Sequence, residues 1–390
     1  MARMVRLQDS CFASPIGSTS AQVTTSLRHG KSGICDLQTV LPGQQVLFTG
    51  AITKSQGDAT QTRFHPRLSQ RYNALLFSFS EEVSAMVKQH GSVDKVFLIC
   101  KRPFYSKWVH RSTGDFQESD FVNTFLAACS LESLGASRVC QIQAACSTGV
   151  LALNWAIREL ATAGKGHNYL LLGLETELNA EKFVAFKKLG ALSTEPDPSF
   201  SCQPFGQSRS GLVPGEVLVA VLLQSVEDSQ IETGDILLRA GVTNCDASRL
   251  TDGLETGDFL TRCLERTLGT EELQRLDFIC PHATSTPLND ALEAAVLGRF
   301  LAQTDATPWI VPLKQYIGHT LNSSGLWETL LSAFLLRHGF LPPLLNPPEA
   351  CLAERLRFVQ AVEERTLSRA MKLSIGFGGI NSAVLLDRVS

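Results

Sequence analysis

The chain of 390 residues has no Cys-x-x-Cys pair, no apolar run approaching a membrane span, and almost no net charge. Each absence removes a class of protein. Eleven cysteines, an odd number scattered from Cys11 to Cys351, supply neither zinc-site spacing nor an even disulfide framework, and they suit reduced thiols in a cytoplasmic setting. A net charge of −3 leaves no basic field to gather nucleic acid, although a local basic patch could still receive an acidic protein. The basic start Met1-Ala-Arg-Met-Val-Arg6 is followed by Gln8, Asp9, Ser10 and Pro15 rather than an apolar signal core, so neither export nor membrane attachment is expected. No low-complexity linker or short-period repeat divides the chain, which points to one continuous catalytic unit with ample core.

What is present is an alternation of apolar and amphipathic stretches, the pattern of an α/β protein with strands buried on both faces. Strands are expected at Lys95–Ile99, Val139–Gln143, Tyr169–Gly173, Val217–Leu223, Ile236–Ala240, Phe278–Cys280, Leu373–Ile375 and Ala383–Leu386. Helices are expected at Ser147–Ala163, where Val150, Leu153, Ile157 and Leu160 recur at helical spacing, and at Leu288–Leu301 and Gly325–Arg337. Glu177–Gly215, with Pro196, Pro198, Pro204 and Pro214, reads mostly as loops.

Three side chains carry chemistry. Cys146, in Gln143-Ala-Ala-Cys-Ser-Thr-Gly149, falls between a strand and the start of a helix, where the partial positive charge of the helix N-terminus favours a nucleophilic thiolate. Its neighbours are small, as a turn open to an acyl group requires. Cys140 lies within the strand pattern and has no such setting. His282 follows the strand Phe278–Cys280, and His319 follows the apolar run Trp309–Leu313; both precede helices, at strand ends that face a cleft. A thiol with two imidazoles is what a thioester enzyme that stabilises an enolate needs.

The ordered motifs resemble the elongating β-ketoacyl-ACP synthases, condensing enzymes of bacterial fatty acid and type II polyketide synthesis that work on acyl carrier protein (ACP). The likeness runs nearly end to end: Ser14-Pro-Ile-Gly17, Leu27-Arg-His-Gly-Lys-Ser-Gly33, Ala145-Cys-Ser147, Gly173-Leu-Glu175, Ala191-Leu-Ser193, Pro204-Phe-Gly206, Pro214-Gly-Glu216, the His282 segment, Lys314 with Gly318-His319, Pro342-Pro343 and Gly376-Phe-Gly-Gly-Ile-Asn381. The resemblance implies a thiolase fold, two similar βαβαβαββ halves in a five-layer αβαβα arrangement. Residues 1–230 would carry the nucleophile and 231–390 both histidines.

By the same resemblance, Cys146 accepts the acyl chain, and His282 and His319 hydrogen-bond the malonyl thioester carbonyl. Cys146 and Phe377 supply the oxyanion hole, with Phe377 also as a gate. Lys314 orients the site, and Glu293 and Glu328 stand at the supporting acidic positions. Thr284 and Thr286 match the threonines that hold pantetheine, although turn and capping chemistry explains their spacing equally well. No bound cofactor or metal is implied; phosphopantetheine arrives on the carrier protein. The implied partners are ACP and either a second copy or a chain-length-factor-like homologue, meeting along the strand that leads to Cys146. Asn289-Asp290 looks more like polyketide or polyene ketosynthases than housekeeping fatty acid enzymes.

Some positions depart from the pattern. Ala283 replaces a usual glycine and would narrow the pantetheine path, Arg249 replaces a histidine in the gating segment Cys245–Asp252, and Gly206 replaces an aspartate. Other readings are a chain-length-factor-like subunit, which typically lacks the cysteine; a thiolase; a CoA-primed initiating synthase, which pairs cysteine with one histidine and an asparagine; and a carrier-protein-dependent acyltransferase without condensation.

Overall fold

The computed structural model describes residues 3–36, 48–52, 70–100, 118–176, 178, 180–247, 256–353 and 356–390. Arg249 and most of the expected gating segment lie outside the described residues. In the first half, β1 (Met4–Ala13), β2 (Lys95–Ile99), β3 (Val139–Gln141), β4 (Asn168–Glu175) and β5 (Val217–Val226) lie in the order β3-β2-β4-β5-β1. The first three in that order are mutually parallel, and β5 runs antiparallel to both its neighbours. In the second half, β6 (Ile236–Cys245), β7 (Phe278–Cys280), β8 (Trp309–Ile310), β9 (Arg357–Phe358), β10 (Arg369–Gly376) and β11 (Ile380–Arg388) repeat the layout as β8-β7-β10-β11-β6, with β9 added outside β8. Here β11 takes the place of β5, antiparallel to both neighbours. β1 and β6 pair where Val5 faces Leu238, so hydrogen bonding runs unbroken through eleven strands.

Six helices pack on these strands: α1 (Gln70–His90), α2 (Glu118–Ala128), α3 (Thr148–Thr162), α4 (Asp258–Thr267), α5 (Pro287–Leu301) and α6 (Ser324–His338). Period-two alternation distributes the strand side chains between three cores. Val96, Leu98, Leu170, Leu172, Leu218 and Ala220 pack outward on α1 and α2. Met371, Leu373, Ala383 and Leu385 pack outward on α4 and α5. The intervening residues, Phe97, Leu171, Val219, Phe278, Ala370 and Val384 among them, face a middle layer built from α3 and α6. Five layers result, α/β/α/β/α. Every residue of α6 from Ser324 to Leu336 is buried, as expected of a helix enclosed on all sides. Among the described residues, no helix is long and apolar enough to cross a membrane.

The helices α1, α2 and α4 are not among those expected from the sequence, and the structure departs from that reading elsewhere as well. A helix, Ala180–Lys188, stands inside the stretch expected to be loops; all four prolines of that stretch lie beyond it. β1 has no clear signature in the sequence, because a bulge between Leu7 and Asp9 breaks its alternation and polar residues interrupt it. The strand expected to run to Gln143 ends at Gln141, where the chain turns toward Cys146.

Candidate active site

Six residues separate the end of β3 from the start of α3, and the turn they form is held tightly. Ala145 sits at φ 47°, a region costly for a residue with a side chain. The Thr148 hydroxyl accepts from the Ala144 N–H at 2.7 Å and donates to the Ala145 carbonyl at 2.6 Å, which closes the turn. The Ser147 hydroxyl donates to the Ile380 carbonyl at 2.7 Å, tying the turn to the start of β11 in the second half. A Cβ added at Gly376 would lie 2.9 Å from the Ala144 carbonyl oxygen and 3.2 Å from the Ser147 nitrogen. Glycine permits that approach, and it brings the segment holding the half-buried Phe377 against the nucleophile turn.

His319 Nε2 lies 3.1 Å from Cys146 Sγ. The His282 and His319 rings meet edge to face, centroids 5.4 Å apart, and the ligating atoms of the three side chains all lie within 4.8 Å of one another. The structure thus brings together the three residues singled out in the sequence, one from the first half and two from the second. His319 is fixed from the first half: its N–H donates to the Val213 carbonyl at 2.6 Å, and its carbonyl accepts from the Gly215 N–H at 2.9 Å. Both rings are buried, and among the described residues neither Nδ1 has a hydrogen-bond partner.

Beneath the histidines lies a buried cluster of charge. Lys314 Nζ donates to both Glu328 oxygens, at 2.9 and 2.8 Å, and to the His282 carbonyl at 2.6 Å. Glu293 accepts from the backbone N–H groups of His282 and Ala283 at 2.6 and 2.7 Å. Lys372, which the family motifs do not single out, reaches Glu328 at 2.8 Å and the Pro281 carbonyl at 2.9 Å. The available signal is a lysine between the apolar Met371 and Leu373, just before the expected strand Leu373–Ile375, where a charge is rare unless paired.

Burial pushes the Cys146 thiol up to about 12; Lys314 pulls it back in part, and Glu175 raises it further. Desolvation thus opposes the activation expected of the helix N-terminus. Both histidines are held well below the usual imidazole value, by burial first and then by Lys314. Burial raises the Glu328 carboxyl, but Lys314 and Lys372 more than offset it and hold it below the carboxylate range. Glu293 has no bonded cation among the described residues, and burial raises it to about 7.

Thr284 and Thr286 face each other, hydroxyl oxygens 2.9 Å apart. Thr286 occupies the N-cap position of α5 but makes no capping hydrogen bond, which leaves its hydroxyl for other use. Ala283, at φ 38°, is buried and packs in the outer core of the second half. Asp290 accepts from the N–H groups of Phe205 and Ser285, at 2.8 and 3.2 Å, and so joins the Pro204–Gly206 loop to the His282 loop. A side chain at Gly206 would meet Gln203 Cβ at 2.8 Å, so an aspartate there would require the loop to shift.

Residues 126–229 match the family described as the N-terminal domain of β-ketoacyl synthase, and residues 236–347 match its C-terminal domain. A highly reducing polyketide synthase, cm3B, of Cordyceps militaris is 30% identical over 258 residues, covering 63% of this chain and 10% of that protein. The 3-oxoacyl-(acyl-carrier-protein) synthase 2 of Rhizobium meliloti is 29% identical over 252 residues, covering 63% of this chain and 59% of that one. The matched segments thus span less than two thirds of these relatives. Among solved structures, the ishigamide ketosynthase/chain length factor superposes over the whole of both chains with a TM-score of 0.79 at 19% identity, which shows the shared thiolase fold.

Proposed function

The chain belongs to the β-ketoacyl synthase family, and on that premise we propose that it forms a carbon–carbon bond by decarboxylative Claisen condensation of a carrier-bound malonyl unit with an acyl group held on Cys146. The Cys146 thiol attacks an acyl thioester, the acyl group moves to Sγ, and the pantetheine thiol leaves with the proton. His282 and His319, both neutral, then donate to the carbonyl oxygen of a malonyl thioester. Carbon dioxide leaves, and its bonding electrons remain as an enolate whose charge the two donors stabilise. The enolate carbon attacks the acyl carbon on Cys146, and the backbone N–H groups of Cys146 and Phe377 receive the oxyanion. Collapse releases the β-ketoacyl thioester and returns the thiol after protonation.

The observation that carries this reading is the convergence of one thiol and two imidazoles within 4.8 Å in a buried site backed by Lys314. No resident metal is proposed, since all three donors are engaged by the reaction. ACP is the proposed carrier, with Thr284 and Thr286 along its pantetheine arm. A polyketide or polyene pathway is favoured by Asn289-Asp290. Peptide mass spectrometry after treatment with acyl-ACP tests the nucleophile. The adduct is expected on Cys146; an adduct on Cys140 or another cysteine instead would overturn the assignment.

A further inference from the structure

Lys372 is fully buried and has no place in the mechanism above. On β10 its neighbours Met371 and Leu373 pack into the outer core, so Lys372 points the other way, into the middle layer that holds the proposed site. Its amine donates to the Pro281 carbonyl at 2.9 Å, while Glu293 accepts from the N–H at the other end of the same peptide, that of His282, at 2.6 Å. The next peptide is held likewise, its carbonyl by Lys314 at 2.6 Å and its N–H by Glu293 at 2.7 Å. Both peptides flanking His282 are thus gripped at both ends by buried ionic groups. Glu328 lies between the two lysines and accepts from both.

We propose that Lys372 is a positioning residue for the decarboxylation step, fixing the peptide before His282 and adding a second cation beneath the site where the enolate forms. This rests on the condensation reading. The arrangement is costly as pure structure, because burying charge is rarely a net gain in stability and an apolar replacement is often neutral or better. Its benefit belongs where negative charge develops in a buried site, since a cation placed in advance stabilises the enolate without reorganisation. The groups facing His282 are Lys314 and Lys372 below, His319 and Cys146 across the site, and Glu293 at its backbone. Of these, both lysines and His319 oppose a charge on the His282 ring.

The test compares wild type with Lys372→Met, which removes charge and hydrogen bond, and Lys372→Gln, which keeps a donor for the Pro281 carbonyl. Acyl loading of Cys146 and decarboxylation of malonyl-ACP are measured separately, and the His282 ring is titrated by nitrogen-15 NMR. Lys372→Met is expected to load within about twofold of wild type but to decarboxylate roughly 10- to 100-fold more slowly, below the ~10²–10³ of a lost direct donor because Lys372 acts through the backbone and at a distance. Its His282 midpoint should move up. Lys372→Gln should recover part of the decarboxylation rate, and it serves as the test if the methionine variant does not fold. Decarboxylation at the wild-type rate with an unmoved His282 midpoint, in whichever variant folds, would overturn the proposal. If wild type itself releases no carbon dioxide, the condensation reading fails, and the NMR titration still decides whether Lys372 acts on His282.

Discussion

Under the proposed condensation, the thiol and the two imidazoles gathered beside it divide the labour of the site, the thiol holding the acyl group and the rings serving the enolate. Replacing His282 or His319 with alanine should therefore slow malonyl decarboxylation by ~10²–10³ while leaving acyl loading much less affected. Stopped-flow measurement of carbon dioxide release beside mass spectrometry of loading checks this, and poor loading with normal decarboxylation would reassign the roles. Glu293 supports a second expectation. Its carboxyl is raised from 4.5 to about 7, so the folded state holds the proton longer than the unfolded one. The stability this contributes is full below pH 4.5 and is lost as pH rises toward 7, by up to roughly 3 kcal/mol. Urea melts of wild type and Glu293→Gln across that range should differ in slope, with wild type losing more stability; parallel curves would refute the assignment. Cys146, His282 and His319 are legible in the sequence because each stands just beyond an apolar run, where a reactive or titratable side chain breaks the core pattern. Their protonation states are not. A helix N-terminus favours a thiolate, yet burial opposes it and raises the thiol to about 12, a balance only the packed structure reveals. Lys372 escapes notice because its partners, Pro281 and Glu328, are distant in sequence and meet it only in the folded chain.

At the scale of elements, the strands buried on both faces are the readable part, since continuous apolar runs such as Val217–Leu223 admit few other placements. The bulged β1 and the short Ala180–Lys188 helix are not, because neither displays a clean period. The crossing of α3 and α6 is also invisible in the sequence. It depends on close backbone approach: a Cβ at Gly149 would lie 2.3 Å from the Leu326 nitrogen, and one at Gly325 would lie 2.8 Å from the Val150 nitrogen. α3 starts just after Cys146 and α6 shortly after His319, so their contact sets the spacing of nucleophile and imidazole. Gly149→Ala should therefore cost about 1–3 kcal/mol, the usual range for overpacking, and reduce activity as well. An unchanged urea midpoint would show that the helices separate freely.

In the whole molecule, β3 stands at one end of the sheet, paired among the described residues only with β2. Among the described residues it is an edge rather than an interior strand. Near it Trp155 is 46% exposed, with its ring centroid 6.0 Å from that of Phe97 on β2. An open edge flanked by an exposed tryptophan invites a partner, either a second copy or a homologous subunit. Light scattering should show a dimer, alone or with that homologue, and Trp155→Ala should weaken it at least about tenfold, as for an interface anchor. A fully active monomer at micromolar concentration would remove the idea. The central claim, condensation at the Cys146, His282 and His319 site, is tested most directly by incubating the protein with acyl-ACP and malonyl-ACP and weighing the carrier-bound products. The account predicts a β-ketoacyl-ACP two carbons longer than the starter, formed with release of carbon dioxide and absent with Cys146→Ala. Acyl transfer to Cys146 with no elongated product, in the presence of its partner subunit, would contradict it.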